Sequence, residues 1–303
     1  MVGLSNDGTG LSLDGSLSLD ENGLTLNTTG TTLYGQGLTL LGITAAPPEV
    51  ALWAAAVVAN GGSVSTARLA IVSTFVVADQ ASGAWDLTDD YFPWWAENAP
   101  QALTSLKQRR LTTAVNSPTF TVDRGYVFNG TTNYLNTGFI PATHAVAMTA
   151  TSVHFEVYER TNVNSGTAYA GGVLNSSSRG ISIRPRSSNN SLILANSAAA
   201  TFTLPSATSV GLTQGGRNGL LVTDAYGAKN GVDMTRTVNP ASLGTSLPVD
   251  SIFLGAYDNA GTAAGFRAAS IGFSSVGAAL SQAQRLARYN AVQAWATAVG
   301  AQV

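Results

Sequence analysis

No cysteine occurs among the 303 residues. That excludes disulfides and thiolate metal sites, so packing and hydrogen bonds must hold the fold unaided. Charge is scarce: 11% of residues are charged, against about 25% in a typical soluble domain. Lys107 and Lys229 are the only two lysines. The densest basic run, Lys107-Gln108-Arg109-Arg110, reads as a solvated helix end. With a net charge of −2 and no basic stripe, no nucleic-acid partner is expected. The apolar runs 50–59 and 69–78 fall short of the roughly 20 residues that cross a bilayer, so no membrane insertion is expected. Met1 to Asp7 lacks a basic start and a long apolar stretch, so no signal peptide is expected. Of two histidines, His144 reads as a loop residue and His154 as lying on the polar face of a strand, both at the surface. No Gly-x-Ser-x-Gly elbow is present, and the glycines near 10–15 and 35–42 lack the lysine of a phosphate loop. No catalytic residue, metal or cofactor is expected.

What the chain does have is leucine at a regular spacing. Leu-[Ser/Thr]-Leu triplets place pairs at Leu11 and Leu13, Leu17 and Leu19, Leu24 and Leu26, Leu38 and Leu40. Asp14-Gly15, Asn22-Gly23 and further Asn and Gly residues separate them. In a strand, residues i and i+2 share a face, so each triplet shows two leucines on one side. Strands this short cannot bury those leucines alone. Residues 1–46 are therefore expected to form a short-strand β repeat, a small solenoid or a chain of hairpins, that assembles with copies of itself or docks on a partner. A flexible linker is the other reading. The segment is mildly acidic, with no Lys or Arg before Arg68.

Pro47-Pro48 marks a boundary. A helix is predicted over 49–60, ended by Gly61-Gly62. Ser63 or Ser65 caps a second, with Leu69, Val72, Phe75 and Val76 at helical spacing. An aromatic stretch from Trp85 to Trp95 and a short helix over 99–106 follow, giving a helical collar over 47–110. From 111 the texture alternates. Strands are predicted at 119–122, 126–128, 134–138, 153–160, 168–174, 180–184, 191–196, 219–224, 251–254 and 268–273. In the 153–160 strand Val153, Phe155 and Val157 face inward. Many short strands divided by Ser, Asn and Gly turns argue for a mainly β, antiparallel sandwich over 111–303. Ser281 and Gln284 form a capping box for a C-terminal helix with Leu286, Tyr289, Val292, Ala296 and Val299 as its stripe.

Phe128-Asn129-Gly130-Thr131-Thr132-Asn133-Tyr134-Leu135-Asn136-Thr137-Gly138 resembles the opening of concanavalin-like, laminin-G-type jelly rolls. Ile252 to Ala256, Ala268 to Phe273 and the closing helix resemble that family's last elements. The helical block ahead of it resembles tailed-phage virion proteins of fibre, spike or decoration type. The likeness covers roughly 50–303. It implies a non-enzymatic virion subunit, made in the host cytoplasm and forming homo-oligomers, with trimers as the guess. Other virion proteins and host-surface glycans would be its partners. Many of these domains bind calcium through clustered acids. Here Asp258-Asn259 reads as a plain turn, and Asp86, Asp89 and Asp90 as helix N-terminal charges.

Two other functions stay open. A carbohydrate-binding module would use Trp94, Trp95 and Tyr257 as candidate glycan contacts, although Trp94 and Trp95 with Tyr91 and Phe92 also suit core packing. A glycan hydrolase would need Glu156 and Glu159 as its carboxylate pair, but their odd spacing puts them on opposite sides of a strand.

Overall fold

A computed structural model describes residues 46–176, 179–204 and 208–303, together with the backbone of four short strands between residues 4 and 26. The chain divides into two units, Met1–Ala45 and Ala46–Val303. In the first, Leu4–Asn6 pairs with Leu11–Leu13, and Leu17–Asp20 with Gly23–Leu26. Leu17 lies opposite Leu26 and Leu19 opposite Leu24, so these triplets meet as antiparallel hairpins. Leu38 and Leu40 lie outside the described residues.

The second unit is mainly β. An eight-stranded sheet runs Val232–Asp233, Ala225–Lys229, Gly211–Asn218, Ser152–Glu159, Ser270–Gly277, Gly125–Val127, Thr119–Thr121, with Thr88–Pro93 also on Ser270–Gly277. A ten-stranded sheet runs Thr235–Val238, Ala200–Thr203, Asn190–Ala195, Gly180–Ser187, Gly171–Leu174, Phe253–Leu254, Tyr134–Asn136, Thr113–Val115, extended by the Tyr257–Asn259 and Thr262–Ala264 hairpin. All pairings are antiparallel except Gly171–Leu174 with Tyr257–Asn259. The sheets form a sandwich. Val153, Phe155, Val157, Ile181, Ile183 and Ile193 fill its core, and burying each such side chain is worth about 1.5–3 kcal/mol.

The helices are α1 (Pro48–Ala59), α2 (Thr66–Ala81), α3 (Ala84–Leu87), α4 (Ala99–Leu103), α5 (Pro141–His144) and α6 (Gln282–Ala298). Ser65 caps α2 by accepting from Arg68 N, and the Ser281–Gln284 box caps α6. Side chains of α1, α2 and α6 bury a second core against the other face of the eight-stranded sheet, around Trp53, Phe75, Trp95, Phe273 and Trp295. The expected separate collar over 47–110 is therefore corrected. Thr88–Pro93 from that stretch is a strand of the eight-stranded sheet, and residues 46–303 form one unit. It escaped pattern reading because it is buried on both faces and does not alternate.

Residues 219–224 are not a strand. Gly219 has φ +145, Val222–Asp224 forms a 3₁₀ turn, and the Asp224 carboxylate accepts from Leu221 N at 2.7 Å. On the strands at either side, Gly211–Asn218 and Ala225–Lys229, Gly215 and Gly227 stand where the two sheets approach closely. A Cβ at Gly215 would meet Ile193 Cγ2 at 2.4 Å. In α6 the buried stripe is Arg285, Arg288, Ala291, Val292, Trp295 and Ala296, while Leu286 is exposed.

Candidate functional site

Trp94 and Trp95 are not surface glycan contacts. They are 0% and 1% exposed. Successive residues of an extended segment face opposite ways, so each tryptophan enters a different core. Trp94 stacks on Phe92 and meets Tyr126 edge-on in the sandwich. Trp95 packs on Tyr158, Phe273 and Trp295 beneath the helices. No sugar face reaches either ring.

The acids singled out in the sequence are structural. Glu156 receives Gln214 Nε2 at 2.7 Å, Ser275 Oγ at 2.6 Å and Arg288 Nη1 at 3.0 Å. Burial alone would raise its pKa, but Arg288, His154 and these hydrogen bonds hold it below the ordinary carboxylate range. Arg288 also bonds both oxygens of Asp79, at 2.6 and 2.9 Å, and Tyr91 OH donates to Asp79 at 2.5 Å. Glu159 is paired with Arg267, both with 0% side-chain exposure. The two glutamates bind different arginines away from solvent, and a substrate reaches neither. His154, expected at the surface, is 1% exposed, and burial lowers its pKa. Its strand face is covered by the helical layer, which alternation within one strand could not reveal. His144 is half-buried and its Nδ1 accepts from Ile140 N at 2.8 Å.

Asp89 accepts from the backbone N–H groups of Val146, Ala147 and Met148. Asp90 accepts from those of Tyr91, Lys107 and Gln108. Both lie on a strand, so the helix-dipole reading is corrected for these two, while Asp86 does sit in the first turn of α3. Asp258 accepts from Gly261 N at 2.6 Å, as a turn residue does. Lys107, expected to be solvated, donates to Trp85 O and Thr88 O at 2.6 Å each. No group of three metal-ligating side chains is found among the described residues.

Tyr257 is placed differently. It begins the hairpin beside Gly171–Leu174, partly exposed, with its ring 4.4 Å from that of Tyr169. The Arg184 guanidinium lies 4.2 Å over the Tyr169 ring, and its Nη2 donates to Tyr169 OH at 2.5 Å. Burial and Tyr169 raise the Tyr257 phenol, and Arg184 opposes them. The local backbone is shaped around this cluster. The Ala260-Gly261 turn has positive φ at both central residues, as a tight type I′ hairpin requires. Gly265, at φ +59, has no room for a Cβ, which would sit 2.8 Å from Tyr169 and 2.9 Å from Tyr257. Phe266 follows directly, 6.2 Å from Tyr134, whose ring is 4.6 Å from Phe253.

Arg186 runs along the same 162–167 loop as Arg184. Arg184 Nη1 donates to Gly166 O, and Arg186 Nη1 to Asn162 Oδ1. The sequence singled out Tyr257 but missed Tyr169, Arg184 and Arg186. Ile181 and Ile183 face the core, so strand parity alone sets Arg184 on the outer face. The Tyr169–Tyr257 pairing, 88 residues apart, has no local signal.

No family model and no curated protein matches the chain. Among solved structures it is similar to a Trypanosoma rangeli sialidase mutant displaying trans-sialidase activity, at 9% identity and a TM-score of 0.47, covering 76% of this chain and 40% of that one. It is also similar to domain 4 of AbnA, a GH43 extracellular arabinanase from Geobacillus stearothermophilus solved with arabinotriose, at 13% identity and 0.38, covering 66% and 96%. A third is NanB sialidase from Streptococcus pneumoniae, at 13% identity and 0.36, covering 56% and 26%. The chain spans less than half the length of either sialidase.

Proposed function

We propose that this chain is a non-enzymatic virion display protein, a fibre, spike or decoration subunit. The 46–303 unit presents the Tyr257–Tyr169–Arg184 face to saccharides of a host surface. The N-terminal leucine repeat anchors it to sister chains or to the particle. The observation that carries the adhesive part is the partly exposed Tyr257–Tyr169 pair, with the Arg184 guanidinium over the Tyr169 ring. Sugar C–H faces stack on aromatic rings, and Arg supplies fixed donors for hydroxyl oxygens. A carbohydrate-binding module uses the same face, so the two readings differ in anchoring, not in recognition. The burial of Glu156 and Glu159 in ion pairs supports binding rather than turnover.

The test is glycan binding by the full chain on an array, followed by titration calorimetry. Tyr257→Ala is expected to weaken binding about tenfold, the loss of one stacking ring. Trp94→Phe leaves affinity unchanged apart from any loss of folded protein. Absence of binding across neutral and charged glycans refutes the adhesive role.

A further inference from the structure

We infer that the Tyr257–Tyr169 face takes an anionic saccharide, one bearing carboxylates of the uronate type, with Arg184 and Arg186 as its counter-charges. This rests on the saccharide reading above and narrows it to one class. Ion pairs among the described residues engage Arg68, Arg267, Arg285 and Arg288. Arg184 and Arg186 have no carboxylate partner there. Their bonds go to a backbone carbonyl, a phenol and an amide oxygen, all neutral acceptors.

The surroundings do not neutralise them. The loop over which both guanidiniums lie, Thr161 to Thr167, holds no acid. The nearby hairpin contributes only Asp258, which is 3% exposed and turned onto Gly261 N. In a chain with 15 basic and 17 acidic residues, two adjacent unpaired arginines beside the tilted Tyr169–Tyr257 pair form a local positive pole. Each also keeps an Nε–H with no acceptor among the described residues. Donors left unpaired away from water are costly, and a ligand carboxylate that draws the guanidinium outward relieves them. Arg meets a carboxylate with a planar fork of two donors. A uronate presents that group on the rim of a ring whose C–H face stacks on Tyr257.

The experiment titrates the full chain with hexagalacturonate and hexamannuronate, and with cellohexaose and maltohexaose as neutral probes. The uronates are expected to bind at least tenfold more tightly. Raising salt from 0.05 to about 0.5 M should cut that preference, as expected where charge contributes. Arg186→Gln, which leaves the tyrosine pair untouched, should cost the uronates about tenfold, an ordinary charged hydrogen bond. Arg184→Lys should cost less than Arg184→Gln. Thermal melts confirm that each variant is folded. Equal binding of uronates and neutral hexasaccharides, unmoved by Arg186→Gln, overturns the anionic inference and leaves the saccharide reading standing. No binding of any of the four overturns both.

Discussion

Asp90 is fully buried on Thr88–Pro93, its Oδ1 shared by three backbone N–H donors. Its Oδ2 has no partner among the described residues. Burial pushes its pKa up to about 6, against the pull of Ser105 and the backbone donors. In the unfolded chain an Asp titrates near about 4. The native state thus binds the proton more tightly. The stability this group contributes is complete below about pH 4 and is lost as pH rises through 6. Half-buried Lys107 is beside it but spends its ammonium on Trp85 O and Thr88 O. Asp90→Asn keeps the accepting oxygen and removes the buried charge. It is expected to raise the unfolding free energy at pH 7 by on the order of 2 kcal/mol and to do nothing at pH 4. Urea melts at both pH values check this. An equal gain at both would mean that charge is not what the site tolerates poorly.

Among the elements, α6 ties the layers together. Its Arg288 bridges Asp79 of α2 and Glu156 of the central strand, with Thr88 Oγ1 bonded at 2.8 Å. Arg285 reaches Asp233 and stacks on Tyr226. Removing one partner from a buried ionic cluster strands the others, at a cost of about 3–5 kcal/mol. Arg288→Met is therefore expected to destabilise by that amount, and Ser281→Ala by about 1 kcal/mol through its cap. Chemical denaturation reads both, and a loss below 1 kcal/mol for Arg288→Met would show that the cluster is held otherwise. Much of this helix was legible. Ser281 and Gln284 announce its start because capping is local in sequence. The buried stripe was misread because two arginines sit in it. Nothing near Arg288 tells of Asp79, 209 residues away. The same limit explains His154, whose face is hidden by helices that no strand pattern encodes. Tyr257 was found as an exposed aromatic, but its partners come from the loop before Gly171–Leu174 and from the Gly180–Ser187 strand.

For the whole molecule, the question is what holds copies together. On α1, α2 and α6 the exposed residues carry no charge. They are Pro, Ala, Leu, Val, Thr, Gln and Asn, while Arg68, Asp79, Arg285 and Arg288 all turn inward. This outer surface sets no electrostatic barrier to a second chain, but it is rich in small residues and offers little area to bury. The N-terminal hairpins present paired leucine positions on strands of three or four residues. A two-stranded hairpin is marginal in water, whereas several stacked copies bury a continuous face. Assembly should therefore depend on the repeat. Light scattering of the full chain is expected to give an oligomer, and of residues 46–303 a monomer. The thermal midpoint of the 46–303 unit should be unchanged, because both of its cores lie within it. A truncated chain that stays oligomeric would move the contact to the uncharged helical face. A full chain that is monomeric would leave the repeat as a docking strand for a different protein.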